Sequence, residues 1–215
     1  MEAKPDFKSM SPQKKLGYVW DYYRFHILGV IVLVFTLGSI IHHYATLKES
    51  VLDMLFLNAY TLDDEGAQFH EFMDVQGFDS EKQTITVTTS LSFALKENSY
   101  QQDYYTIQTL SALFAAGDLD VFASPYQIYN DFASVGYVAD LRSVFTEEEL
   151  ASYGDMVIYT TDANTGDVFP SGFDLTGNRW IKESGYYEEG CYLSVTANTD
   201  TPELTKEFIL YILNY

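Results

Sequence analysis

Residues 112–145, ALFAAGDLDVFASPYQIYNDFASVGYVADLRSVF, decide what kind of fold this chain can build. Leading into them, Ile107, Leu110 and Phe114 recur at helical spacing, and Gly117 supplies the residue on which a helix commonly ends. Residues 119–123 then read as a short strand. Directly behind it, Ser124-Pro125-Tyr126-Gln127 has the pattern of a capping box with proline in the first turn, which predicts a second helix stopping before Gly136. Helix, strand and helix in one uninterrupted stretch point to an α/β unit.

The alternation continues on both sides. Upstream, residues 51–59 are apolar at nearly every position except Asp53 and Asn58, as suits a central strand. Asp63, Asp64 and Glu65 place negative charge where a helix dipole favours it, ahead of Phe69, Phe72 and Met73, and Gly77 closes that helix. Residues 83–89 alternate and are rich in β-branched side chains, so they predict a second strand. Residues 96–103 read as a polar linker. Three strand–helix pairs in succession imply right-handed crossovers and a largely parallel sheet with helices on both faces. Downstream, Thr146 to Glu149 is another capping box. Residues 156–161 and 167–173 read as two strands joined by the turn 162–166, 190–197 as a further strand, and Thr201-Pro202 as the start of a closing helix with Leu204, Phe208, Ile212 and Tyr215 in phase.

Ahead of the α/β region lies FHILGVIVLVFTLGSIIHHYA, residues 25–45, with no charge between Ile27 and Ile41. Its length of about 21 residues, at roughly 1.5 Å each, matches a bilayer core, which predicts a transmembrane helix. A buried helix of a soluble core is the alternative, but a helix apolar all round belongs inside a larger protein. Residues 1–10 read as a cytoplasmic tail. Residues 11–24, opened by Ser11-Pro12, read as an interfacial amphipathic helix with Leu16, Val19, Trp20 and Tyr23 at helical spacing and Tyr18 and Tyr22 in an aromatic belt. Lys4, Lys8, Lys14, Lys15 and Arg24 precede the span while Lys48 alone follows closely, so the positive-inside rule keeps the N-terminus cytoplasmic and exports residues 46–215. A cut after Ala45 would have bulky His43 three positions upstream, a poor processing match, and no cysteine stands there for lipidation. The expectation is an uncleaved signal anchor.

Of the chain's 12 basic and 31 acidic residues, the first 24 positions hold five and three, leaving seven basic and 28 acidic and a net charge of about −21. So acidic a region repels nucleic acid and anionic lipid, yet its tyrosines and phenylalanines suffice for a core. The single cysteine, Cys191, can form no internal disulfide and reads as a buried thiol. The chemical motifs are mostly negative: no Gly-rich phosphate loop, no Cys-x-x-Cys, no His-x-x-x-His and no G-x-S-x-G elbow. His70 is the one histidine of the exported region. The expectation is a non-enzyme without cofactor or metal. Asp162-x-Asn164-x-x-Asp167 has calcium-like spacing but lacks the bidentate glutamate, and a hairpin turn explains the same residues. In an open α/β sheet a ligand lies at the carboxyl ends of the strands, which nominates Asn58, Tyr60, Ser90, Ser124 and Tyr126. Trp180, Tyr186 and Tyr187 could add a stacking face for a sugar ring.

Gly117, Asp118, Asp120, Val121, Gly136, Asp140 and Leu141, within 112–145, resemble the helix, "aGDxDV" strand, helix and "xDL" exit of bacterial extracellular solute-binding proteins. Residues 191–213, CYLSVTANTDTPELTKEFILYIL, are similar to the strand and helix with which those proteins return to their first lobe. The start KLGYVWDYYRFHILG resembles membrane-anchored proteins of Gram-positive anaerobes. The resemblance implies a three-layer, periplasmic-binding-protein-like α/β lobe with a mostly parallel sheet behind one transmembrane helix. It implies a receptor subunit of an ABC importer, or a tethered ligand sensor, in a bacterial cell membrane. The expected partners are the lipid bilayer at residues 25–45, a small solute such as a sugar, and a permease or other envelope protein. Roughly 50 residues between Leu141 and the returning strand are too few for a full second lobe. The alternative reading is therefore an envelope interaction module that has lost its solute.

Overall fold

A computed structural model describes residues 11–62, 67–96 and 99–215, which fall into two compact units, Met1–Leu47 and Lys48–Tyr215. The tail read at residues 1–10 and the helix opening read at Asp63, Asp64 and Glu65 lie outside the described residues.

Among the described residues the first unit is one helix, α1 (Pro12–Thr46), 35 residues long. The stretch read as an interfacial helix at 11–24 runs directly into the span read at 25–45: after Pro12 no proline interrupts the ladder up to Thr46, so one helix carries both. Its segment Val19–Tyr44, 26 residues containing an 18-residue window of mean hydropathy 2.2, is long and apolar enough to cross a membrane. The hydroxyl of Thr36 donates back to Val32 O (2.8 Å) and that of Thr46 to His42 O (2.9 Å), which satisfies both groups inside the helix.

The second unit is a mixed α/β domain. In chain order it contains β1 (Glu49–Phe56), α2 (His70–Gln76), β2 (Gln83–Thr88), β3 (Ala94–Lys96), β4 (Ser99–Gln101), α3 (Tyr104–Ala116), β5 (Val121–Ser124), α4 (Tyr126–Ser134), α5 (Glu147–Tyr153), β6 (Val157–Thr161), β7 (Val168–Asp174), α6 (Arg179–Ser184), β8 (Tyr192–Val195) and α7 (Pro202–Leu213). Six strands form one sheet in the order β2-β1-β5-β8-β7-β6. β1 pairs parallel with β2 and β5, and the pairs β5–β8, β8–β7 and β7–β6 are antiparallel. Four strands therefore point one way, with β8 and β6 reversed. The parallel part is the strand–helix series expected from sequence. The antiparallel part is built by β8 together with residues 141–191, which return to the same sheet as the hairpin β6–β7 at its edge and make no second lobe.

Alternating residues of β1 explain the layers. Leu52, Met54 and Phe56 face one buried cluster with Phe72 of α2, Trp180 of α6 and Phe208 of α7. Leu55 faces the other, with Leu110 and Phe114 of α3 and Ile128 and Phe132 of α4. Crossover helices α2 and α3 lie on opposite faces because β2 and β5 lie on opposite sides of β1 and right-handed crossovers demand it.

Caps and turns confirm most boundaries. Thr146 and Glu149 close the capping box of α5, and Gly77 and Gly117 end α2 and α3 with φ of 75° and 78°. Three readings are corrected. Residues 96–103 are no linker: Ala94–Lys96 and Ser99–Gln101 pair as an antiparallel hairpin, and Asp103 caps α3 by accepting from Thr106 N (2.9 Å). The box at Ser124 does not form, because Ser124 is still paired to Tyr192 in the ladder and its buried hydroxyl donates to Pro125 O (3.3 Å). α6 was missed, although Asn178 caps it and Gly185 ends it.

Candidate functional site

The winding of the sheet reverses between β1 and β5, so the crevice at their carboxyl ends is where a ligand is expected. That crevice is filled from within. The Tyr187 ring, 6% exposed, packs 6.2 Å from Phe56, and its hydroxyl donates toward Leu57 O (3.0 Å) and Ala123 O (3.1 Å). Burial raises this hydroxyl well above its ordinary pKa, which keeps it a neutral donor. Trp180, 3% exposed, and Tyr186, fully buried, stack on each other at 6.2 Å and on Phe69. The stacking face expected of Trp180, Tyr186 and Tyr187 is thereby corrected. Without α6 in view, these aromatics looked unattached, whereas the helix turns Trp180 and Ile181 into the core.

The rim residues do not converge on one cavity. Asn58, at φ 59°, clamps a loop: its Nδ2 donates to Phe93 O (2.7 Å) and its Oδ1 accepts from Phe93 N (2.8 Å). Ser90 is exposed in that loop, and Ser124 is buried. Tyr60 is exposed, with its amide donating to Tyr186 O (2.8 Å) and its hydroxyl to Glu188 Oε2 (3.4 Å). Tyr126, 54% exposed, is the nominated residue that lines an open groove.

That groove is built where hairpin β3–β4 meets α4. Tyr100 donates its hydroxyl to Asp131 Oδ2 (2.9 Å) and accepts from Gln102 Nε2 (3.0 Å), which ties the hairpin to the helix. Burial, with Asp131 beside it, raises the pKa of the Tyr100 hydroxyl. Tyr126, Gln127, Asn130 and Asp131 of α4 line a cavity of about 370 Å³ with Ser99 and Gln102. A second cavity of about 250 Å³ shares Tyr100, Gln102 and Asp131 as wall and continues past Ile107, Phe132 and Val135. A third, about 320 Å³, shares Ser111, Val135 and Tyr137 and ends at Gly117 and Asn198. Together they form a track along the α3–α4 layer. Sequence reasoning missed Tyr100, Gln102, Asn130 and Asp131 because a linker reading hid the hairpin that supplies the facing wall.

Other reactive groups have local explanations. Asp120 Oδ1 accepts from Thr199 Oγ1 (2.5 Å) and Thr201 Oγ1 (2.9 Å), and its Oδ2 accepts from Asp53 N (3.0 Å), so it locks β1, β5 and the approach to α7 together. Asp162 Oδ1 accepts from Asn164 N (2.7 Å) and Thr165 N (2.9 Å), the geometry of a hairpin turn. Cys191 is buried, and burial pushes its thiol pKa up. His70 is exposed on α2. Among the described residues no group of three or more His, Cys, Asp or Glu could hold a metal ion. No family model, curated protein or solved structure matches the chain.

Proposed function

We propose that this chain is a single-pass membrane protein with a cytoplasmic N-terminus, and that residues 46–215 form a non-catalytic recognition domain outside a bacterial membrane. It recognises an extended ligand along the α3–α4 track. One observation carries the reading. The crevice where α/β sheets hold small solutes is occupied by Tyr187, while the track beside α4 stays open and presents Tyr126. Closure of two lobes on a solute is not part of this function, because residues 141–191 belong to the one sheet. The anchor supports the role. It holds the domain at high local concentration beside any ligand of the envelope, so modest affinity suffices.

Thiol footprinting tests this. Cys191 is buried, so single cysteines replacing Ser99, an exposed residue of the groove wall, and Tyr159, exposed on β6, report alone and leave Tyr126 in place. A membrane-impermeant maleimide should reach both in intact cells. It should label position 99 more slowly there than in the purified chain, with position 159 equal in both. Labelling only after lysis overturns the orientation; equal rates at 99 in cells and in purified chain overturn recognition at the groove.

A further inference from the structure

We infer that the track takes a linear chain of neutral sugars, a ligand class that rests on the recognition reading above. Shape is the first support. Three cavities sharing walls run from Gln102, just before α3, to Gly117 at its end, about 20 Å at the helical rise, which suits a polymer better than a single compact solute. Charge is the second. Among the described residues Asp131 is the one charged side chain lining any of the three cavities, in a region with 28 acidic and seven basic residues. A polyanion is repelled by the surrounding field, and a polycation drawn by that field meets more carboxylates on the rest of this acidic surface than in a track with one, so the track itself favours an uncharged chain.

Hydrogen-bonding chemistry narrows the class further. The amides of Gln102, Gln127 and Asn130 each offer donors and an acceptor, and a sugar hydroxyl is both at once. Asp131 gives Oδ2 to Tyr100 and, among the described residues, keeps Oδ1 open as an acceptor. Tyr126, backed by Tyr192 at 5.2 Å, exposes a ring of the kind that covers the apolar face of a pyranose. Where α3 and α4 form the walls, main-chain groups bond within the helices, and the one strand beside the groove, β4, is three residues long, so an extended peptide has little ladder to join there.

The test is binding of fluorescent hexasaccharides (maltohexaose, cellohexaose, chitohexaose and mannohexaose) and of a library of unstructured peptides to the full chain in lipid nanodiscs. The expected result is saturable binding of at least one hexasaccharide, weakened about tenfold by Tyr126→Ala and retained by Tyr126→Phe. Asn130→Ala should weaken it as well, and Tyr159→Ala, at a residue lining none of the three cavities, should not; an unchanged thermal melt shows that each variant is folded. Peptide binding that depends on Tyr126, with no hexasaccharide bound, overturns the sugar class and leaves recognition at the groove standing. Binding of any probe that Tyr126→Ala and Asn130→Ala leave unchanged overturns both, as does the absence of all binding together with no footprint at position 99 in cells.

Discussion

Replacing Tyr187 by phenylalanine removes one hydroxyl from the crevice between β1 and β5 and preserves the ring. Ala123 O keeps a partner, because Leu57 N donates to it at 2.8 Å. The loss falls on Leu57 O, which among the described residues has no other donor, and a buried carbonyl left unpaired costs about 1–2 kcal/mol. Tyr187→Ala adds a cavity beside Phe56 and should cost about 3–5 kcal/mol. Both buried clusters lie within Lys48–Tyr215, so urea unfolding of residues 46–215 reads the effect through Trp180, the one tryptophan there. With a slope of about 2 kcal/mol per molar urea, Tyr187→Phe should lower the midpoint by about 0.5–1 M. An unchanged or raised midpoint would mean that the carbonyls are hydrated and the crevice is open, which refutes the reasoning that excludes it as the ligand site.

Three further outcomes follow from the packing. A Cβ on Gly172 would fall against Tyr129 Oη and 2.6 Å from Leu193 O, so Gly172→Ala should cost about 2–3 kcal/mol in a thermal melt. Tyr129→Phe should not rescue it, because the second clash is with main chain. Asp120→Asn can keep Asp53 N on its carbonyl only by turning its NH₂ toward Thr199 and Thr201, whose hydroxyls must then accept in place of donating to a carboxylate, and should lower stability by about 1–2 kcal/mol in the same assay. Hydrogen bonds hold the carboxyls of Asp103, Asp140, Glu149 and Asp162 below their ordinary range, through Thr106, Arg142, Lys206 and Thr165 respectively. Depressed folded-state values give stability that is present above about pH 4 and is lost as pH falls through them. Burial raises Asp53, which works the other way, so the melting temperature should still fall from about pH 5 to about pH 3, more gently than the four carboxyls alone would give.

Much of the fold was legible because local signals and burial agree. Continuous apolar runs gave β1 and β5, alternation gave β2, and Gly77, Gly117 and the Thr146–Glu149 box gave helix ends that the backbone reproduces. The direction of β8 was not legible: its run suits a central strand of either sense, and pairing is fixed by chain return. Residues 94–101 escaped because strands of three residues carry no detectable period. That omission also hid the candidate site, since Asn130 and Asp131 read as ordinary solvated helix positions until the hairpin stands opposite them. Trp180, Tyr186 and Tyr187 misled for the reverse reason: nothing in an irregular, polar-flanked stretch reveals that its aromatics turn inward.

The most direct measurement places a photo-reactive phenylalanine analogue at position 126, in the groove, or at position 159, on β6, in the full chain in intact cells. The expected result is a discrete adduct at 126 that carries saccharide and is lost when Asn130→Ala is combined with it, with none at 159. Equal adducts at both positions, or none at 126 while the protein is present and exported, would contradict recognition at the α3–α4 track.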